Sequence, residues 1–239
     1  MAAESALQQF AETQSSEAFA LQNSKLLKVS LRDVTVQAKL GTMVAYQGDV
    51  KFEHAGSGGM ARLVKKMTTG EDVKFMKASG SGELFLAEQA QEIHVLRLED
   101  DQIMCNGANL LAFDAGIDWD ISRVEGAGGL LTGGMFNVSL KGSGFVALLS
   151  DGPPVLLNVG EAPTFADPQA AITWSSGVRT SMKTDINVKT LIGRGSGETI
   201  QVAFEGTGWV LVQPSEGRVS SSPLGGGGGG GGLMKALGG

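Results

Sequence analysis

Carboxylates cluster twice in the sequence, at Glu99-Asp100-Asp101 and at Asp114, Asp118 and Asp120. Paired carboxylates run general acid–base chemistry when their surroundings push their pKa values apart. The first group reads as a solvated hairpin turn. The second brackets Trp119 in Asp118-Trp119-Asp120, where strand alternation exposes both acids if the indole is buried. Asp114 to Asp120 is thus the candidate pocket for a sugar or a cation.

The other reactive side chains carry less. There are two histidines, His54 and His94. A metal site needs three or four converging ligands. Glu53 and His54 are adjacent and point to opposite faces of a strand, and His54 with Asp49 has no recognisable ligand spacing. Neither a metal nor a cofactor is expected. The single cysteine, Cys105, excludes an internal disulfide, and its place in the alternation Gln102-Ile103-Met104-Cys105-Asn106 predicts a buried structural thiol. Gly142-Ser143-Gly144 and Gly195-Ser196-Gly197 stand before strands, without the base or the strand-to-helix turn of a nucleophilic serine. The loop Gly193-Arg194-Gly195-Ser196-Gly197-Glu198 lacks the Lys-Ser/Thr ending of a phosphate loop and reads as a turn. No catalytic residue is expected.

The elements behind these residues are short strands, and one pattern is written three times. Gly80-Ser81-Gly82, Gly142-Ser143-Gly144 and Gly206-Thr207-Gly208 each feed an apolar run, and their first glycines lie 62 and 64 residues apart. Regular spacing of this kind marks a repeated supersecondary unit. Glycine inside a strand pattern marks a bulge, a corner or a close backbone approach, so a structural role is expected for all six. The units read as two and a half repeats, with cores near 75–113, 136–174 and 199–213; the third stops short, and residues 19–55 are the candidates for its missing half. Within 41–52 two short strands are expected to meet at a Gln47-Gly48-Asp49 turn.

Met60, Leu63, Val64 and Met67 have helical spacing and predict one short helix. Arg62, Lys65 and Lys66 oppose that stripe, so the helix packs on the β-core or, alternatively, rests on an anionic membrane surface; two turns bind weakly alone. Residues 1–18 read as a loose N-terminal arm, 19–214 as the β-repeat body, and 215–239 as a flexible tail. The tail's run of glycines, 225–232, spans roughly 15 Å as a coil. It ends in an apolar group with Leu233, Met234 and Leu237, a candidate partner-docking peptide.

Of 239 residues 36 are glycine, 42% are hydrophobic and 18% are charged, which describes many short strands and tight turns rather than disorder. A net charge of −6 argues against nucleic acid as a partner, because a basic face would be the footprint. No apolar run reaches the roughly 20 residues that span a bilayer, and the start lacks the pattern of a secretory signal. Cytoplasmic residence is expected.

Gly41-Thr42-Met43-Val44-Ala45-Tyr46-Gln47-Gly48, the helix ending in Thr69-Gly70-Glu71, Gly107-Ala108-Asn109-Leu110-Leu111-Ala112 and the three Gly-x-Gly strands ending near Gln213-Pro214 form one ordered signature. It resembles the mitochondrial-biogenesis, altered-inheritance-of-mitochondria family, long catalogued as a domain of unknown function, from about Leu21 to Pro214. The resemblance implies an all-β fold similar to the superfamily of the tryptophan-RNA-binding attenuation protein, with no established activity and no defined active site. Its mitochondrial members are associated with inner-membrane organisation, which suggests a scaffold. RNA binding does not carry over to this acidic chain, and the glycine tail is no part of the family pattern.

The expected fold is therefore all-β, with stacked or barrel-like antiparallel sheets. The expected function is a non-enzymatic scaffold, self-associating as a homotrimer, with an unidentified protein partner and peripheral membrane contact through Arg62, Lys65 and Lys66. The alternative is a small-molecule binding module or weak enzyme with its pocket at Asp114 to Asp120.

Overall fold

The structure is a computed structural model that describes residues 2–54, 75–123, 136–184 and 200–215. Helix α1 (Ala2–Leu7) and a 3-10 turn precede β1 (Phe19–Asn23), β2 (Leu26–Ser30), β3 (Val36–Lys39) and β4 (Met43–His54). Next come β5 (Phe75–Leu86), β6 (Glu92–Asn106), a 3-10 turn (Gly107–Asn109), β7 (Leu110–Asp114) and β8 (Asp118–Arg123). The chain continues through β9 (Phe136–Ser150), β10 (Val155–Val159), β11 (Thr164–Ala166), β12 (Ala171–Ser175) and β13 (Val178–Thr184) to β14 (Ile200–Gly206) and β15 (Gly208–Val212). The expected helix over 60–67, with Arg62, Lys65 and Lys66, lies outside the described residues, as do Leu233, Met234 and Leu237.

The fold is all-β. A sheet of 12 strands runs β1-β2-β5-β3-β7-β9-β6-β12-β15-β10 without closing into a barrel, with β4 on β5 and β8 on β9; β11, β14 and β13 form a second sheet. The strand pairings are antiparallel.

Each Gly-x-Gly stands where a strand changes neighbours. Strand β5 pairs with β3 before Gly80 and with β2 after Gly82. Strand β9 pairs with β8 up to Lys141 and with β7 from Val146. Strand β14 pairs with β11 and β13, and past Thr207 the chain continues as β15 between β10 and β12. Two glycines show why side chains are excluded. A Cβ on Gly80 would collide with the carbonyl oxygen of Asp49, and one on Gly144 would lie 2.6 Å from Asp114 Oδ2; both have positive φ, 125° and 144°.

Two expected turns are strand features instead. The Gln47-Gly48-Asp49 turn is a bend inside one continuous strand, because β4 and β5 stay paired from Gln47↔Glu83 to Val50↔Gly80 and both carry a positive-φ glycine there. The Asp100-Asp101 turn is a bulge inside β6: Leu98 faces Gly144 and Asp101 faces Gly142, which leaves Glu99 and Asp100 opposite Ser143 alone. Asp100 takes φ 54° and its amide donates to Ser143 Oγ at 2.8 Å.

Three apolar clusters fill the interior. Phe75, Phe113 and Trp119 meet edge to face, with ring centroids 5.3 Å apart for each pair with Phe75 and 6.2 Å for Phe113 with Trp119. Burial of each such ring contributes about 1.5–3 kcal/mol.

Replacing Gly80 by Ala is expected to destabilise the fold by about 1–3 kcal/mol. Gly116 is the control, since a Cβ there meets nothing within 4 Å; its Ala variant should stay within about 0.5 kcal/mol of the parent. Urea unfolding of the two variants checks this, and equal costs would remove the steric account.

Candidate functional site

The structure does not assemble the second carboxylate cluster into one site. Asp118, Trp119 and Asp120 follow one another on β8, with Trp119 buried and both acids exposed on the opposite face, as alternation requires. Asp120 Oδ1 accepts the amide of Ile121 at 2.9 Å. Asp114 ends β7 and turns inward, half-buried against the bend of β9.

The other candidates have structural duties. Cys105 is fully buried, its thiol pushed up to about 12 by burial, and Sγ lies 3.5 Å from the carbonyl of Val138. Ser143 holds the β6 bulge. His94 lies 2.7 Å from Ser150 Oγ, and Ser150 donates to the carbonyl of Gly152 at 2.7 Å. The imidazole therefore donates to the hydroxyl and leaves no lone pair to activate it, while burial lowers the His94 pKa against the opposing charge of Glu92. Strand β4 ends at His54, opposite Met76. Among the described residues no three His, Cys, Asp or Glu side chains converge as a metal site.

What sequence reasoning missed is an exposed apolar surface. Among the described residues strand β4 pairs with β5 alone, and Val44, Tyr46 and Phe52 on it are 57%, 52% and 37% exposed. Tyr46 and Phe52 are six positions apart, yet the bend at Gly48 brings their rings to 5.3 Å, edge to face. Val155 and Leu156, on the terminal strand β10, are exposed too. The readable signal was Tyr46, Val50 and Phe52 alternating with polar residues, with Val44 two positions before Tyr46; which face stayed uncovered was not readable.

Asp114 shows how the bends are fixed. Its Oδ2 accepts the amide of Phe145 at 2.7 Å, just past Gly144, while Oδ1 is buried without a partner. Burial raises its pKa above the usual carboxylate value; the Phe145 bond and the charge of Arg97 work the other way. A carboxyl that binds its proton more tightly when folded loses stability as pH rises from its unfolded pKa through the higher folded one. Asn at this position keeps an acceptor for Phe145 and does not titrate. The stability of Asp114→Asn relative to the parent should therefore rise between about pH 4 and neutrality, measured by urea unfolding across that range. A difference that stays flat with pH would show that the carboxyl is not strained by burial.

No helix among the described residues is long and apolar enough to cross a membrane. No curated protein matches this chain significantly. A protein from Streptococcus pyogenes, solved by X-ray crystallography, superposes with a TM-score of 0.66 at 21% identity, over 82% of this chain and 92% of that one; this likeness establishes a shared fold. The family described as Mitochondrial biogenesis AIM24 matches residues 19–215, which takes in every strand of both sheets. On that match the chain belongs to the mitochondrial biogenesis AIM24 family.

Proposed function

We propose that this protein is a non-enzymatic scaffold that self-associates and holds a protein partner through the outer surfaces of its sheet, as a cytoplasmic protein peripheral to a membrane. The observation that carries the reading is β4, which among the described residues has a strand partner on one side only and leaves Val44, Tyr46 and Phe52 exposed. Aromatic side chains on an uncovered surface are the usual anchors of protein interfaces, and an unpaired edge offers its backbone groups to another strand. The family's description, mitochondrial biogenesis, names a process and no reaction, which agrees with a non-enzymatic role.

A second reading, a small-molecule module at Asp114 to Asp120, has one observation in its favour, the unpartnered Asp114 Oδ1. It is the weaker reading, since Asp118 and Asp120 face solvent on another strand.

Sedimentation velocity of the full chain should show an oligomer at micromolar concentration. Serine at Val44, Tyr46 and Phe52 together should weaken assembly roughly tenfold or more with unchanged far-ultraviolet circular dichroism. A monomeric parent protein would defeat self-association, and an oligomer indifferent to the triple variant would move the contact off β4.

A further inference from the structure

Strand β2 alternates sharply. Leu27 and Val29 are fully buried in the core, as is Leu31 just past the strand's end, while Lys28 and Ser30 occupy the opposite face and Arg32 follows in the turn after the strand. That face should be solvent, yet Lys28 is only 7% exposed, because the N-terminal arm crosses it. Between arm and sheet lies a cavity of about 340 Å³, in whose lining Lys28, Ser30, Arg32 and Glu83 meet Ser16 and Glu17 of the arm.

The arm is attached by polar contacts. Glu12 Oε2 takes an ion pair from Lys28 Nζ at 3.0 Å, and its Oε1 accepts from Gln47 Nε2. Lys28 also pairs with Glu83 at 2.9 Å and reaches the carbonyl of Thr13 at 3.2 Å. Thr13 and Ala11 bond to the side chain of Gln22. The arm's larger apolar residues do not anchor it, since Leu7 and Phe10 are 62% and 70% exposed. A carboxylate is therefore seated on two donors of the β-body by a segment otherwise held by the hydrogen bonds of Gln22 and Lys28 and by the amide of Ser30 on the Ala18 carbonyl.

The body thus has an oxyanion site that the chain fills with its own Glu12. The donors beside it are not all engaged: Arg32 makes no ion pair, and the Ser30 hydroxyl has no partner, among the described residues. Of the nearby acids, Glu83 pairs with Lys28, while Glu17 lies 4.0 Å from an exposed Arg97. An incoming carboxylate that displaces Glu12 leaves the charge around Lys28 unchanged, and a phosphate adds up to about one further negative charge beside Arg32.

We propose that Lys28, Gln47, Ser30 and Arg32 form a binding site for a small molecule bearing a carboxylate or phosphate, and that Glu12 of the N-terminal arm occupies it in the free protein. The ligand's oxyanion takes the seat of Glu12 on Lys28 and Gln47, and the rest of the molecule lies in the cavity against Ser30 and Arg32. Binding lifts the arm. Nothing in this depends on the scaffold reading.

The test is calorimetric titration of the full chain with succinate and with inorganic phosphate, at constant ionic strength. Glu12→Ala should bind at least one of them roughly tenfold more tightly than the parent, because the internal competitor is gone. Arg32→Gln in the Glu12→Ala background should lose most of that gain. Amide hydrogen exchange over residues 8–17 of the parent should speed up when the anion is added. Arg32 and Gln47 are exposed, so Arg32→Gln and Gln47→Ala keep the test open where a Lys28 variant fails to fold. Equal affinity of Glu12→Ala and parent would overturn the proposal, as would a gain that Arg32→Gln leaves intact. Recruitment of Glu12→Ala to phosphatidic acid vesicles with no response to either soluble anion would also overturn it, in favour of a lipid surface.

Discussion

The fold depends on letting long strands bend while they exchange neighbours. A straight strand keeps the same two partners along its length; β5 and β9 do not, and at β14–β15 the chain passes between sheets. Bending a paired strand brings backbone against backbone, and at Gly80 and Gly206 the atoms that would meet a Cβ are carbonyl oxygens, of Asp49 and of Gly177. No rotamer change relieves such a contact. The glycines therefore decide where the large sheet turns, and with it which faces can be covered.

Burial then fixes what the bends permit. The Phe75–Phe113–Trp119 group joins β5, β7 and β8, strands that come together because β5 and β9 have each changed partners nearby. Buried polar groups complete the seams. Gln213 accepts from the amide of Asp151 at 3.0 Å and donates to the carbonyl of Gln169 at 3.1 Å, while Asn109 donates to the carbonyl of Leu149 at 2.9 Å. Each satisfies backbone groups that would otherwise cost about 1–3 kcal/mol to bury. They sit at strand ends, where the ladders run out of partners.

The same economy accounts for the side chains that had invited a chemical reading. Ser143 closes a bulge, Ser150 and His94 serve a turn, Cys105 fills core, and Asp114 holds the amide after a bend. Groups so employed are positioned for the protein's own backbone rather than for a substrate. What is left over lies on the outside: the aromatic pair of β4, and the basic face of β2 beneath the arm.

Much of the fold was legible in the residues themselves. Alternation gave the all-β class and put Asp118 and Asp120 on the face opposite Trp119, because side chains in a strand have period 2 whatever the strand pairs with. The recurrence of Gly-x-Gly marked the bends, since only a steric demand that repeats leaves such a trace. Pairing was not legible. Gln47-Gly48-Asp49 reads as a turn until Gly82 is placed opposite Gly48, and Asp100-Asp101 reads as a turn until Gly142 and Gly144 face it across a bulge. Alternation also put Lys28 and Ser30 on one face of β2; only the tertiary structure laid Glu12 against Lys28, from 16 positions away along the chain. Period and sterics are local and so are written in the sequence, whereas which strand covers which face is a contest among distant segments that the folded chain alone resolves.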